Sequence, residues 1–294
     1  MNISNEYKEK VVVELLEQRN KYGGSDADYS KSKGLKPAIY SRLAKGEREK
    51  MLSDASWIRL GRELDVQLYE TTWNIARTQV YTAIQDSLYT CQALSKSMIL
   101  VDDCEIGKTY CSKHIIKGMK NAFYIDCSQA KTKQQFIRLL AKTIGLDHTG
   151  RFIDVKSDLK YYLTTLEKPL IVMDEAGDLD YSAFLEIKEL WNGTENACAW
   201  YMLGADGLRA KIERGKNSKK VGYAEIFSRF SGSYLKLVPT GAESRTQFYK
   251  TLVTNVAMAQ LEDKALCSKV AVKCIRENTG LRYLKTLIEI SNHN

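Results

Sequence analysis

The sequence predicts an α/β protein in which a mostly parallel sheet is sandwiched by helices, preceded by an all-α segment and followed by a small helical lid. Helical spacing without strand-like alternation fills the chain up to about residue 65. Short apolar runs rich in β-branched and aromatic residues then alternate with helical stretches from 90 to 238, which is typical of a parallel sheet. Helical spacing alone returns from residue 241, where Phe248, Leu252 and Val256 are predicted to share one apolar helix face. The predicted domains are therefore residues 1-67, 68-240 and 241-294.

Composition agrees with an ordered globular protein of about two domains. The 294 residues are 44% hydrophobic and 27% charged, and the seven cysteines form no Cys-x-x-Cys pair. Irregularly spaced thiols in odd number favour a reducing, intracellular compartment. No apolar run approaches the roughly 20 residues that span a bilayer, so we expect no membrane partner. The net charge of +8 indicates a polyanionic partner.

The first domain carries the pattern of a helix-turn-helix motif. Ser25 opens a short predicted helix that ends at a turn containing Gly34. Pro37 opens a second predicted helix that ends before Gly46. In a helix-turn-helix motif the second helix enters the major groove of DNA.

Charge and apolar spacing in this domain support the same interpretation. Between residues 30 and 62 there are nine basic residues and three acidic ones, and we expect Lys36, Arg42 and Lys45 to contact DNA. The segment that follows is expected to pack Trp57, Leu60 and Leu64 beneath the two helices. The alternative is a solvated helical hairpin without a ligand.

A phosphate-binding loop is predicted directly after the first strand. The strand Met98 to Val101 leads through a loop that ends with Gly107, Lys108 and Thr109 into a predicted helix from Tyr110 to Met119. Backbone N–H groups at a helix start bind phosphate oxygens, the lysine reaches the β and γ phosphates, and the hydroxyl ligates Mg²⁺. Asp102 stands where the P-loop pattern has its first glycine. The alternative is a chance Gly-Lys-Thr tripeptide.

A second element agrees with this prediction. The apolar strand from Leu170 to Met173 ends at Asp174 and Glu175. This is the position and composition of a Walker B element, in which Asp174 holds Mg²⁺ through water and Glu175 polarises the attacking water. Acidic pairs are also common at solvated strand ends. Both motifs in this order predict an enzyme that binds ATP and Mg²⁺ and hydrolyses the nucleotide.

The glutamate directly after Asp174, a further strand at Trp200 to Gly204 and the all-helical tail resemble the AAA+ ATPases. The resemblance implies three more site residues. Asp206 is at the position of the polar sensor, although the usual Asn or Thr is missing. Arg229, in Ser228-Arg229-Phe230, corresponds to the arginine finger for a neighbouring subunit, and Arg282 corresponds to the sensor-2 arginine. The alternative for both arginines is an ordinary surface ion pair.

A second basic run follows the fourth predicted strand, with Glu213 as its one acid. It consists of Arg209, Lys211, Arg214, Lys216, Lys219 and Lys220. In a ring or spiral of AAA+ subunits, this segment is expected to be a loop that faces the central channel, where the phosphate backbone of DNA would lie. The alternative is a merely exposed loop.

The combination of a helix-turn-helix domain, an AAA+ core and a short lid resembles the phage Mu B protein family, with IstB and TnsC ATPases as relatives. The resemblance rests on the segments around Trp57, Lys108, Asp174 and Arg229. It implies ATP-dependent helical filaments on double-stranded DNA, recruitment and stimulation of a DDE-type transposase, and disassembly by hydrolysis. It also implies a cytoplasmic protein of a prokaryotic cell, encoded by a phage or mobile element.

Two other classes stay open. A replication initiator or helicase loader shares the AAA+ core, although its DNA-binding domain more often follows the lid. A transcriptional regulator with a helix-turn-helix domain and a degenerate nucleotide site is the second alternative, and Asp102 is the residue that favours it.

Overall fold

The computed structural model describes residues 3–20, 22–64, 66–68, 73–277 and 279–292. Of residue 292 only the backbone is described. By its internal contacts the chain forms two compact units. One comprises Met1–Thr72 with Leu140–Leu159, and the other comprises Trp73–Leu139 with Lys160–Asn294. The boundaries of the three predicted domains remain a prediction. Within the described residues, no helix combines the length and the apolar character needed to cross a membrane.

The first unit contains a four-helix segment at its amino-terminal end. The helices are α1 Asn5–Asn20, α2 Asp26–Ser32, α3 Pro37–Ala44 and α4 Asp54–Glu63. The Ser25 side chain accepts the N–H of Asp28 and caps α2, while Pro37 occupies the first turn of α3. Gly34, between them, has φ of +67°, which favours glycine at the turn. The predicted helix, turn and helix are thus present.

Beneath these helices lies a separate apolar core. Trp57, Leu60 and Leu64 are buried there together with Tyr29 and Leu43, which come from α2 and α3. The hydroxyl of Tyr29 donates to the backbone oxygen of Leu15 at 2.8 Å, so the buried ring leaves no unpaired polar atom. The predicted packing beneath the two helices is confirmed.

The second unit is built on a parallel five-stranded sheet. Its strands are β1 Met98–Val101, β2 Ala122–Asp126, β3 Leu170–Asp174, β4 Ala199–Gly204 and β5 Tyr234–Leu235. The order across the sheet is β2-β3-β4-β1-β5, and every pair of neighbours is parallel. Strands β3 and β4 are buried along their whole length, which explains their continuous apolar sequences.

Further helices precede the lid along the chain. They are α5 Gln79–Leu94, α6 Lys108–Lys117, α7 Lys133–Ile144, α8 Phe152–Thr165, α9 Tyr181–Gly193, α10 Asp206–Asn217 and α11 Tyr223–Arg229. The lid consists of α12 Ala242–Gln260, α13 Lys264–Arg276 and α14 Leu281–Asn292. The predicted apolar face of the first lid helix is confirmed, because Phe248, Leu252 and Val256 are buried in the same core as the sheet.

Two local predictions need correction. The helix after the phosphate loop was predicted over Tyr110 to Met119, but α6 already begins at Lys108, because Gly107 with φ of +92° turns the chain directly into it. The basic run after β4 was predicted as a loop, but most of it is α10, whose Leu208 and Ile212 are buried at helical spacing. Its lysines and arginines therefore project from a helix.

Candidate nucleotide-binding site

Three predicted site segments meet at one edge of the sheet. Because the strands are parallel, their carboxyl ends lie together. The loop from Asp102 to Gly107 follows β1, Asp174 ends β3, and Asp206 follows β4, which lies between the other two strands. This edge brings together the residues that the sequence predicts for a phosphate site and for a metal site.

Lys108 is the first residue of α6 and its side chain is almost completely buried. Its Nζ donates to the backbone oxygens of Asp102 at 3.0 Å and of Asp103 at 2.5 Å. Burial lowers the pKa of the Lys108 ammonium, while Cys104, Asp102 and the acids after β3 act in the opposite direction. A buried ammonium that bonds only neutral carbonyls is a cation suited to an entering phosphate.

Asp102 has a structural reason to replace the usual glycine. Its side chain is 2% exposed, and its carboxylate accepts N–H groups from Asp103 at 2.8 Å, from Val238 at 2.9 Å and from Leu237. The two distant donors belong to the segment that joins β5 to the lid. Asp102 therefore ties the phosphate loop to this segment.

Asp174 and Glu175 differ in their surroundings. Asp174 is 2% exposed, and its Oδ2 accepts the hydroxyl of Tyr124 at 2.7 Å while its Oδ1 accepts the N–H of Glu175 at 2.9 Å. Glu175 is exposed and has φ of +49°. Although the residue as a whole is exposed, the surrounding protein removes part of the water from its carboxyl, and this desolvation together with the charges of Asp174 and Asp178 raises the pKa of the Glu175 carboxyl, while Lys108 opposes that rise. A raised carboxyl pKa favours proton uptake from water.

The donor set fits a nucleotide with Mg²⁺. Thr109 is exposed on the first turn of α6, next to Lys108. Its hydroxyl and the Asp174 carboxylate are the oxygen ligands that Mg²⁺ prefers. Lys108 and the N–H groups at the start of α6 supply phosphate donors on the same edge of the sheet.

Asp206 and Arg282 are placed differently from each other. Asp206 begins α10, its side chain is 77% exposed, and its carboxylate accepts a bond from Arg209 at 2.8 Å. Arg282 opens the last lid helix, and its Nη1 lies 4.0 Å from Glu105 of the phosphate loop. The structure thus brings Arg282 to the loop, whereas the Asp206 carboxylate is paired with its own helix.

Arg229 lies at the opposite edge of the sheet. It lines a cavity of about 340 Å³ together with Ser97 and Cys198, which directly precede β1 and β4. Its guanidinium carbon lies 5.3 Å from the ring centre of Trp191. Its buried Nη1 has no hydrogen-bond partner among the residues that the structure describes. Arg229 therefore does not face the phosphate loop of its own chain.

The candidate DNA-contacting residues of α3 are exposed. Lys36 and Lys45 flank the helix at its two ends, and Arg42 lies on its last turn. Arg42 pairs with Glu47 at 2.5 Å, whereas Lys36 and Lys45 have no ion pair within the described residues. The exposed face of α3 therefore carries positive charge.

The basic residues of α10 divide into two groups. Lys211 donates to the backbone oxygens of Gly177, at 2.8 Å, and of Leu179, so its ammonium is held inside the unit. Lys216 pairs with Glu213 at 3.0 Å, and Lys220 lies 3.8 Å from the ring centre of Tyr181. The exposed members without an ion pair among the described residues are Arg214, Lys219 and Lys220, of which Lys220 has the ring contact with Tyr181.

Several residues of the site were not predicted from the sequence. Tyr124 bonds Asp174 from the neighbouring strand, and Arg245 and Tyr249 of α12 bond Asp103. No motif marks these positions, because each contact joins segments that are distant in the chain. The signal in the sequence was the cluster of acids in the phosphate loop, Asp102, Asp103 and Glu105, because carboxylates beside a phosphate site need basic or N–H partners close to them.

Comparisons with known proteins agree with this geometry. Residues 96–212 match a family model described as an AAA domain. No curated protein matches the chain. Among solved structures, the chain is similar to the ORC1 protein of Aeropyrum pernix in complex with DNA, with a TM-score of 0.53 and 13% identity, over 74% of this chain and 61% of that one. It thus spans about three fifths of the length of that protein.

Two further structures have lower TM-scores. The ORC2 protein of Aeropyrum pernix gives 0.45 at 13% identity, over 78% of this chain and 71% of that one. A Walker-type ATPase of Pyrococcus abyssi gives 0.42 at 13% identity, over 76% of each chain. The parallel sheet, the phosphate loop after β1, the acids at the end of β3 and the match over residues 96–212 together show that the central part of this chain has the fold of an AAA+ P-loop core.

Proposed function

We propose that the protein is an ATPase that binds double-stranded DNA in its ATP-bound, assembled form. The observation that carries the ATPase assignment is the convergence of Lys108, Asp174 and Glu175 at one edge of the sheet. Among the described residues Lys108 donates to two backbone carbonyl oxygens and to no carboxylate, so its ammonium is suited to phosphate oxygens.

Each residue has a distinct part in the proposed reaction. Lys108 and the N–H groups at the start of α6 bind and orient the phosphates. Thr109 and Asp174 would hold Mg²⁺, which would neutralise phosphate charge, and the Tyr124 hydroxyl fixes the orientation of the Asp174 carboxylate. Glu175 orients water and accepts its proton, for which its raised pKa is suited. ATP supplies the phosphoanhydride bond that is cleaved.

Arg229 supports assembly of several copies of the chain. It lies at the edge of the sheet opposite the phosphate loop, next to an open cavity. An arginine in this place does not reach the nucleotide of its own subunit but is available to a neighbouring one. We therefore assign it to the site of the neighbour in a ring or helical filament, where trans-acting arginines stabilise the transition state.

DNA binding is assigned to α3 and to part of α10. Lys36, Arg42 and Lys45 give α3 an exposed basic face on a helix-turn-helix. Arg214 and Lys219 provide a second set of exposed cations at α10. The ORC1 protein, to which the fold is similar, was solved in complex with DNA, which is compatible with this assignment.

For the biological role we propose target selection in DNA transposition, with recruitment and stimulation of a DDE-type transposase. The support is the order of parts along the chain: a helix-turn-helix segment, the AAA+ core and a short lid. A replication initiator or helicase loader is the alternative, and the likeness of the fold to ORC1 favours it.

ATP hydrolysis measured with and without duplex DNA tests the ATPase assignment, and electron micrographs with ATP and DNA test filament formation. A transposition ATPase and a replication initiator or helicase loader are not separated by these two measurements, so a third measurement is needed. DNA coated with the protein should attract strand transfer by a co-encoded transposase. Loading of a replicative helicase in its place would overturn the transposition role.

A further inference from the structure

The second acid of the phosphate loop is held by the lid. Asp103 Oδ2 lies 2.5 Å from Nη2 of Arg245 and accepts the hydroxyl of Tyr249 at 2.6 Å. Both partners lie on α12, the first lid helix. The side chains of Asp103 and Arg245 are 23% and 43% exposed, so the ion pair is partly open to water. Ion pairs of this exposure are weak and exchange partners readily.

The lid contacts the same loop at a second place. The N–H of Leu281, which begins α14, donates to the backbone oxygen of Glu105 at 3.0 Å. A Cβ added to Gly107 would lie 3.3 Å from Leu281, and one added to Gly280 would lie 2.4 Å from Glu105. The lid is therefore packed directly on the loop, and a movement of the loop has to be passed to α12 or α14.

An entering nucleotide changes the charge balance at Asp103, and this step rests on the proposed function. The Lys108 ammonium lies 2.5 Å from the backbone oxygen of Asp103, so the phosphates that Lys108 binds come close to that residue. Added negative charge repels the Asp103 carboxylate and competes for its cation. A guanidinium is well suited to that exchange, because its fork of donors fits phosphate oxygens.

We propose that the Asp103–Arg245 pair is a latch that nucleotide phosphates open, and that Arg245 then becomes a phosphate ligand carried by the lid. Asp103 holds the guanidinium in reserve beside the loop. Transfer of Arg245 to the phosphates moves α12, so the position of the lid differs between the empty and the nucleotide-bound site. Arg245 is thus distinct from Arg282, which approaches the loop from α14 through Glu105.

The test compares equilibrium nucleotide binding by two single variants, measured by the fluorescence anisotropy of a labelled non-hydrolysable ATP analogue. Arg245→Ala should weaken binding by about tenfold or more, because one charged donor is lost. Asp103→Asn should strengthen it several-fold, because the competing charge is removed while an oxygen remains to accept the Tyr249 hydroxyl. Lys250→Ala, which removes an exposed charge from the same helix, is the matched control and should leave affinity unchanged.

Hydrogen exchange provides a readout independent of hydrolysis. Without nucleotide, both variants should increase exchange in α12, since each breaks the latch. The two variants are predicted to change nucleotide affinity in opposite directions. If the ion pair were only a structural clamp, both variants would weaken it and would change affinity in the same direction. Affinities that shift in the same direction, or not at all, in a parent chain that does bind nucleotide would overturn the latch alone. A parent chain that binds no nucleotide would overturn the proposed function as well.

Discussion

Replacing Asp102 with the glycine of the usual P-loop should loosen the segment that joins the sheet to the lid. The Asp102 carboxylate accepts the N–H groups of Leu237 and Val238 in a site where it is 2% exposed. A hydrogen bond to a charged group contributes about 1.5–3 kcal/mol, and an unpaired buried donor costs about 1–3 kcal/mol. Because the effects overlap, we expect a local loss of about 2–4 kcal/mol from Asp102→Gly.

The amide hydrogens of Leu237 and Val238 report this loss directly. At about 1.4 kcal/mol per factor of ten, their exchange should accelerate by about 30- to 1000-fold, while exchange in β3 stays unchanged. Asp102→Asn should give a smaller acceleration, since its amide retains one acceptor oxygen. Asp86→Asn, on the exposed side of α5, is the control. Exchange at Leu237 and Val238 within twofold of the parent would refute the role assigned to the Asp102 carboxylate.

Three further predictions concern turnover and DNA. In filter-binding assays, Lys108→Ala should abolish ATP binding and with it DNA binding by the assembled form. Glu175→Gln should keep both kinds of binding and lose ATP turnover. DNA binding by Lys108→Ala would contradict the coupling of ATP binding to DNA binding. Arg229→Ala should bind ATP normally and lose about 10³ or more in hydrolysis, and mixtures with Lys108→Ala should recover activity, because each supplies the part that the other lacks; no recovery would count against a shared site. Neutralising Arg214 and Lys219 should flatten the salt dependence of DNA affinity by about 0.9 log unit per lost phosphate contact, and an unchanged slope would remove α10 from the interface.

The strands were predictable because a strand that is buried on both faces has a continuous apolar sequence. Strand β4 and strand β3 up to Met173 have continuous apolar sequences, because both strands are buried along their whole length. The caps of α2 and α3 were equally visible, because Ser25 and Pro37 act on backbone groups within the same turn. Such local signals need no knowledge of the distant chain.

The contacts of the site were less predictable because they join distant segments. Nothing near Tyr124 indicates that its hydroxyl bonds Asp174 of the neighbouring strand. The α10 segment was predicted as a loop because its Gly, Lys and Ser content outweighed the spacing of Leu208 and Ile212. Charge alone also did not separate Lys211, whose ammonium bonds backbone carbonyls, from exposed Lys219.

The acids of the phosphate loop show why a departure from a motif is informative only with its partners. From the sequence, Asp102 favoured a degenerate site, since a carboxylate beside phosphates is repulsive. In the structure its charge is satisfied by N–H groups of the Leu237 segment, and Asp103 and Glu105 are turned toward Arg245 and Arg282. Asp102 therefore holds the segment before the lid, whereas Asp103 and Glu105 contact α12 and α14 of the lid. Asp102, in place of the usual P-loop glycine, therefore links the phosphate loop to the segment that leads into the lid. The Lys108 ammonium remains available for phosphate.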